Sequence, residues 1–598
     1  MQKKQIKNRL VSFVLVLAVC VGVSVAPAAA QGGYNDLEAI TGHVSLTIPQ
    51  GLTVSRPSGQ ITTTDAAYFI AGTSDPGLPL TLNGQEVEQR GVRGSFGVYV
   101  ALDAGTNRFV LEQGSAREEV IIVRGNASAE AATTTVISRM APAYDCATFS
   151  GETITLSCVA PSGASVTASI GNRQVTLEQS AATAKAGVPA TFTAKLTAGE
   201  VSGTKDLGQV VYTLNGQTDF ESEGRVYITG SGSRLAVQVK NDATVVYSDA
   251  QRSRFIDTAK LGGIDTVKDI NGDLYELSTG GWVPREAMQP LTEEVPLRLS
   301  VERALFGATD DGNGEVYSFP GSARPMVRSY QDSEKLFVRL CNTTMSSDAV
   351  SELKAAVSNS RVFGGVAVSQ KDGYADLTFQ LSGNRTLWGY DITYGREGGI
   401  NVFAKYKPSL QQGSRPLAGI TIAVDAGHGG SDPGAVGVPG TKAAMEKDIN
   451  LATAIAVQKR LESLGATVLM TRSEDENPPI NDRMQGTVDA DLFISLHCNS
   501  ISYDRDTNKA GGTEVYYYED QSQRLAQILA ANVADYTGRT NRGAKFSAFR
   551  VTLNTYAPAV LVEMGFLTNP AEYDSMTSRS GIFRTANAVG DGVLAVFR

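Results

Sequence analysis

Histidine is scarce in this chain of 598 residues: there are three, His43, His428 and His497. Any site built on imidazole must draw on these. Cysteine occurs five times, and one of the five, Cys20, falls within the opening apolar run. The others, Cys146, Cys158, Cys341 and Cys498, are too few and too scattered to frame a chain this long with disulfides. Cys146 and Cys158 flank the hairpin-like stretch "CATFSGETITLSC" and could pair in an oxidising compartment. Positive charge is also short. With 53 Lys and Arg against 62 Asp and Glu, the formal net charge is −9, and no basic stripe is present, which excludes nucleic acid as a partner. Long apolar runs are missing beyond the opening segment, where Lys3, Lys4, Lys7 and Arg9 precede an uncharged apolar run ending at Ala28, Ala29 and Ala30. That pattern reads as a signal peptide over residues 1–30, cut after Ala30. The alternative, a retained anchor, fits less well, because the run is at the short end for a span of about 20 residues. After cleavage the protein is expected to have no membrane association.

What is abundant is strand texture. From residue 37 to 292 short alternating runs such as "HVSLTIPQG", "GSFGVYVAL" and "EEVIIVRG" are separated by Gly, Asn, Asp and Ser, the spacing of antiparallel sandwich or barrel domains. The divisions fall at an immunoglobulin-like module over 37–126, a second β-rich module over 132–222 and a small barrel over 223–292. The Gly-Trp-Val of "DLYELSTGGWVPREAM" resembles bacterial SH3-like domains, and its aromatic residues Tyr247, Tyr275 and Trp282 read as core and rim packing. Residues 293–408 remain strand-rich around one helical segment, 347–358, and the paired strands ending in "VFAKYKP" resemble an amidase N-terminal domain.

Past the linker "SLQQGSRPLAG" the texture changes to strands alternating with amphipathic helices, which predicts a C-terminal α/β domain over 416–598 with a mostly parallel sheet. "GITIAVDAG" reads as a buried strand with His428 just past its end. Leu451, Ala454, Val457, Leu461 and Leu464 recur at helical spacing, and Glu446 stands in the first turn of that helix. "ADLFISLHCNS" brings His497 to the C-terminal end of a strand, and "APAVLVEMGFLTNP" places Glu563 at the end of another. Ligands of open α/β sheets bind beyond the carboxyl ends of the strands. Two imidazoles and one carboxylate with an open fourth position form the ligand set of a catalytic zinc, and a second carboxylate beside them can move protons. Gly427, Gly429 and Gly430 would let the backbone turn sharply at such a site.

"IAVDAGHGGSDPGAVG", "EKDINLATAIAVQKRLESLGATVLMTR", "ADLFISLHCNS", "NRGAKF" and "PAVLVEMGFLTNPAEYDSM" together resemble the zinc-dependent N-acetylmuramoyl-L-alanine amidases of the Amidase_3 type. The resemblance implies His428, Glu446 and His497 as metal ligands, zinc as cofactor, and Glu563 as the catalytic glutamate. It also implies hydrolysis of the amide between N-acetylmuramic acid and L-alanine in peptidoglycan, by a protein secreted to the cell wall or periplasm. Asn499 and Arg542 are candidate substrate contacts. Two departures stand out: Gly486-Thr487 replaces an Ala-Asn pair frequent in the family, and Cys498 follows the second histidine where alanine is common. Strand alternation turns Cys498 away from His497, so it reads as a core thiol. Helix 522–537 follows "GGTEVYYY" within a few residues, leaving no room for the long inhibitory insert of some relatives. A catalytically inactive wall-binding scaffold and a zinc peptidase cutting the stem peptide itself remain alternatives, because a ligand set alone does not select one amide.

Overall fold

The computed structural model describes residues 46, 48–126, 132–180, 185–383 and 385–598. The expected signal peptide, Cys20 and His43 lie outside the described residues. Among the described residues no helix is long and apolar enough to cross a membrane. The chain is multidomain and mostly β, with helices concentrated after residue 416.

Strands between 53 and 124 form a three-stranded and a five-stranded sheet around Ile70, Phe96, Leu111 and Ile122. A seven-stranded sheet follows over 146–229, and another over 236–290 with Tyr275 in its core. The strand Thr218–Thr229 runs through the expected division at 222 and belongs wholly to the earlier of these two sheets. The physical reason is an irregular ladder. The register shifts between Gln209 and Val211, and the Ser222 hydroxyl takes the Val210 N–H at 2.9 Å, so the ladder continues across the irregularity within one strand. Cys146 and Cys158, which the spacing would allow to pair, are both free thiols. Residues 299–406 form two four-stranded sheets and a two-stranded pair around the helix Ser347–Val357.

The last domain has six strands, β1 (Thr421–Ala426), β2 (Thr467–Met470), β3 (Leu492–Asn499), β4 (Thr513–Tyr517), β5 (Asn541–Phe546) and β6 (Ala559–Phe566), in the order β2-β1-β3-β6-β4-β5. Neighbours are parallel except β4 with β6. Helices α1 (Glu446–Ser463), α2 (Ile480–Gln485), α3 (Gln523–Thr537), α4 (Pro570–Met576) and α5 (Arg579–Phe597) flank the sheet. The N-terminal half of α1 is buried nearly all round, Glu446, Lys447 and Asn450 included, so polar groups there need partners within the protein.

Two β modules grip this domain at opposite ends. At the N-terminal end of β3, Lys405 donates to Ala490 O at 2.7 Å and pairs with Asp491 at 2.9 Å, while Trp388 donates to Asp491 O at 2.7 Å and stacks on Phe597. Beyond the other end, Ser55 donates to Val438 O at 2.7 Å, Arg93 N to Asp574 of α4 at 2.6 Å, and Phe69 packs with Val438 and Tyr503. Val438 lies in the loop that joins His428 to Glu446, so the first module braces that loop.

Candidate metal centre

The loop after β1 turns sharply because two buried arginines hold its carbonyls. Arg472 donates to Ala426 O and Gly427 O, and Arg483 to Ala426 O and His428 O, at 2.8 to 3.1 Å. Asp425 anchors Arg483 at 2.8 Å inside the domain and also accepts from Thr471 and Ser495 at 2.6 Å each. Burial opposes ionisation of Asp425, yet the Arg483 guanidinium and these hydroxyls hold its carboxyl below the usual range. So clamped, His428 sits at φ +60°, a left-handed conformation uncommon for a residue with a Cβ.

Three side chains converge there. His428 Nε2 lies 3.2 Å and His497 Nδ1 3.1 Å from Glu446 Oε1, and the ligand atoms of all three fall within 4.8 Å of one another. Glu446 reaches this point from the first turn of α1, with its second oxygen accepting from Ala435 N at 2.8 Å. Hydrogen bonds to both imidazoles outweigh burial and pull the Glu446 carboxyl far down, and the same contact to Glu446 raises His428 to about 9. Asp432, its carboxyl held below the usual range by His428, accepts from the other His428 nitrogen, Nδ1, at 2.8 Å, the kind of outer partner that fixes a ligating imidazole's orientation.

The surroundings suit a metal ion. A Cβ on Gly427 would stand 2.2 Å from the His497 ring, and one on Gly434, at φ +63°, would meet Glu446 at 2.6 Å and His428 at 2.7 Å. Glycine at these two positions is what lets the three side chains close on one point. Two nitrogen donors and one carboxylate match the ligand preference of zinc. Glu563 stands opposite His497 across the β3–β6 pair, and its Oε2 is buried without a hydrogen-bond partner among the described residues. Burial, with Glu446 and Glu514 adding negative charge nearby, raises its carboxyl to about 7. The strand does not end at Glu563, as its sequence suggested, but continues to Phe566, which pairs with Asn499.

Cys498 is buried outside the cluster, its thiol pushed well up by burial, and its N–H donates to Glu446 Oε1 at 3.1 Å. Asn499 and Arg542 do come together, both on Glu514, at 2.8 and 2.6 Å. Glu514 escaped the sequence reading. So did Asp432, Asp425, Arg472 and Arg483, although "DAGHGGSD" and "MTR" display three of them.

Residues 422–595 match the Amidase_3 family, N-acetylmuramoyl-L-alanine amidase. A Bacillus subtilis (strain 168) relative, YqiI, is 36% identical over 188 residues, 30% of this chain and 87% of that protein. The chain belongs to the N-acetylmuramoyl-L-alanine amidase family. Another relative, the probable cell wall amidase LytH of Staphylococcus saprophyticus, is 35% identical over 33% of this chain and 64% of its own length. This chain therefore spans a little under two thirds of the cell wall amidase it matches. Among solved structures, the catalytic domain of the amidase CwlV from Bacillus (Paenibacillus) polymyxa var. colistinus aligns with 33% identity over 29% of this chain and 97% of that one, with a TM-score of 0.28. The family match falls on the last domain, whose His428, Glu446 and His497 form a set able to hold a metal ion.

Proposed function

We propose that this chain is a secreted, zinc-dependent peptidoglycan hydrolase that cleaves the amide between N-acetylmuramic acid and the L-alanine of the stem peptide. The observation that carries the reading is the convergence of His428, Glu446 and His497 on one point, with the unpartnered carboxylate oxygen of Glu563 alongside. Zinc held by the three ligands would supply a Lewis acid for the lactyl carbonyl and make a water acidic enough to attack near neutral pH. Glu563 takes the attacking water's proton and delivers it to the departing alanine nitrogen, acting first as base and then as acid. Without the second transfer the amine leaves poorly.

The β modules, read as immunoglobulin-like, SH3-like and amidase N-terminal-like, would hold the enzyme on the wall. A scaffold without activity would not need an open metal position beside a buried, unpartnered carboxylate. Metal analysis of the full chain, followed by release of stem peptide from purified peptidoglycan with and without chelator, tests the proposal. Stoichiometric zinc and chelator-sensitive release support it; absence of zinc overturns it.

A further inference from the structure

Along one face of the sheet, three adjacent strands present His497 on β3, Glu563 on β6 and Glu514 on β4, each directly across from the next. Directly opposed residues share a face and lie close enough to interact. The outermost strand, β5, adds Arg542 and Lys545. Arg542 Nε donates to Glu514 at 2.6 Å, and the Lys545 ammonium pairs with the same carboxylate oxygen. Tyr516 and Asn499 donate to the other oxygen at 2.7 and 2.8 Å. Burial opposes ionisation of Glu514, but these donors hold it down at about 2, so it remains an anion.

The charges do not balance. One buried carboxylate faces two cations, and among the described residues no other acid pairs with either of them. Glu514 is 3% exposed, whereas Arg542 and Lys545 are 39% and 36% exposed. The Arg542 guanidinium lies over the Phe566 ring, its Nη1 reaches Gly511 O at 3.4 Å, and its Nη2 has no partner among the described residues. A planar guanidinium fixed at Nε by one carboxylate, with an amino group to spare, is preorganised to take a second.

Direction along the row says whose carboxylate that is. The metal ligands lie at one end, and Glu563, which protonates the departing nitrogen, comes next. Groups beyond Glu563 therefore face the peptide that departs with that nitrogen. We infer that Arg542 and Lys545 form a subsite for a carboxylate of the stem peptide, with Glu514 as the positioning residue that holds them. The inference rests on the amidase reading above.

The test uses the full-length, zinc-loaded chain and two soluble N-acetylmuramoyl peptides, identical except that the peptide carboxylates are free in one and amidated in the other. Wild type should cleave the free form with the higher kcat/KM, by about ten- to a hundred-fold, the range for a hydrogen bond to a charged group. The difference should appear mainly in KM. Arg542→Gln and Lys545→Met should each lower kcat/KM on the free form and bring the ratio of the two substrates toward one. Glu514→Gln should do the same, and a merely structural role for Glu514 would lower both substrates alike, leaving the ratio unchanged. Equal cleavage of both peptides by wild type, or an unchanged ratio in the Arg542 and Lys545 variants, overturns the subsite while leaving the amidase reading intact. Cleavage of neither peptide by zinc-loaded wild type overturns both.

Discussion

Arg483→Met removes the clamp behind His428, and its cost can be worked from the structure. The Arg483 and Asp425 side chains are 4% and 2% exposed and pair at 2.8 Å, so the variant leaves Asp425 ionised inside the domain with only Thr471 and Ser495 for partners. Breaking a buried pair by removing one partner costs about 3 to 5 kcal/mol. Carbonyls of Ala426 and His428 lose a donor as well, which places the expected loss toward the upper end. For a domain of this size each kcal/mol moves the unfolding midpoint by roughly 2 to 4 °C, so the amidase-domain transition should fall by roughly 6 to 20 °C. Zinc affinity should drop about 10- to 100-fold, because the carbonyl that holds His428 in its left-handed conformation is released. Calorimetry on metal-free protein and zinc titration read the two effects separately. Adding Asp425→Asn should recover part of the stability, since the stranded charge is gone, without restoring zinc affinity. A midpoint within 2 °C of wild type together with unchanged zinc binding would refute the clamp argument.

Gly427→Ala places a methyl 2.2 Å from the His497 ring, so it should cost about 1 to 3 kcal/mol by overpacking and displace a ligand, seen as weaker zinc binding in titration. Glu446→Ala should abolish activity at limiting metal with partial rescue at high zinc; full zinc occupancy after dialysis would show that Glu446 is only a helix N-terminal acid favoured by the macrodipole. In metal-free protein, Glu563 contributes a pH dependence of known sign: its carboxyl rises from 4.5 to about 7 on folding, so the folded state holds an extra proton between those values. Stability from this group is complete below about 4.5 and is lost as pH climbs through about 7, by up to about 3 kcal/mol. Glu563→Gln should remove that decline, and denaturant midpoints at pH 5 and 8 measure it.

The cluster of His428, Glu446 and His497 was legible because each stands at or near the end of a regular element, and the topology of an open α/β sheet collects such ends at one edge. Glu514 was not, because "TEVYYY" reads as an ordinary alternating strand. Only the non-sequential order β3-β6-β4-β5 sets that glutamate between Glu563 and the two cations. Arg472 and Arg483 were hidden for a related reason: among their acceptors are the backbone carbonyls of Ala426, Gly427 and His428, 45 to 57 residues away, and carbonyls leave no trace in residue type. Asn499 and Arg542 were read as substrate contacts, and the sequence does not show that one buried carboxylate, Glu514, holds both. The expected division at 222 cut the strand Thr218–Thr229, because the place of the Ser222 hydroxyl in the ladder, bonded to Val210 N–H and Gly224 O, is unseen in the sequence.

Product mass from intact peptidoglycan, cut by zinc-loaded full-length protein beside a Glu563→Gln variant of equal zinc content, tests the proposed reaction most directly. Wild type should release intact stem peptides whose first residue is L-alanine, and the variant, still folded and metal-loaded, should be slower by about 10² to 10⁴-fold. Fragments cut within the stem peptide would make the protein a peptidase, and a fully active Glu563→Gln enzyme would mean that Glu563 does not move the proton.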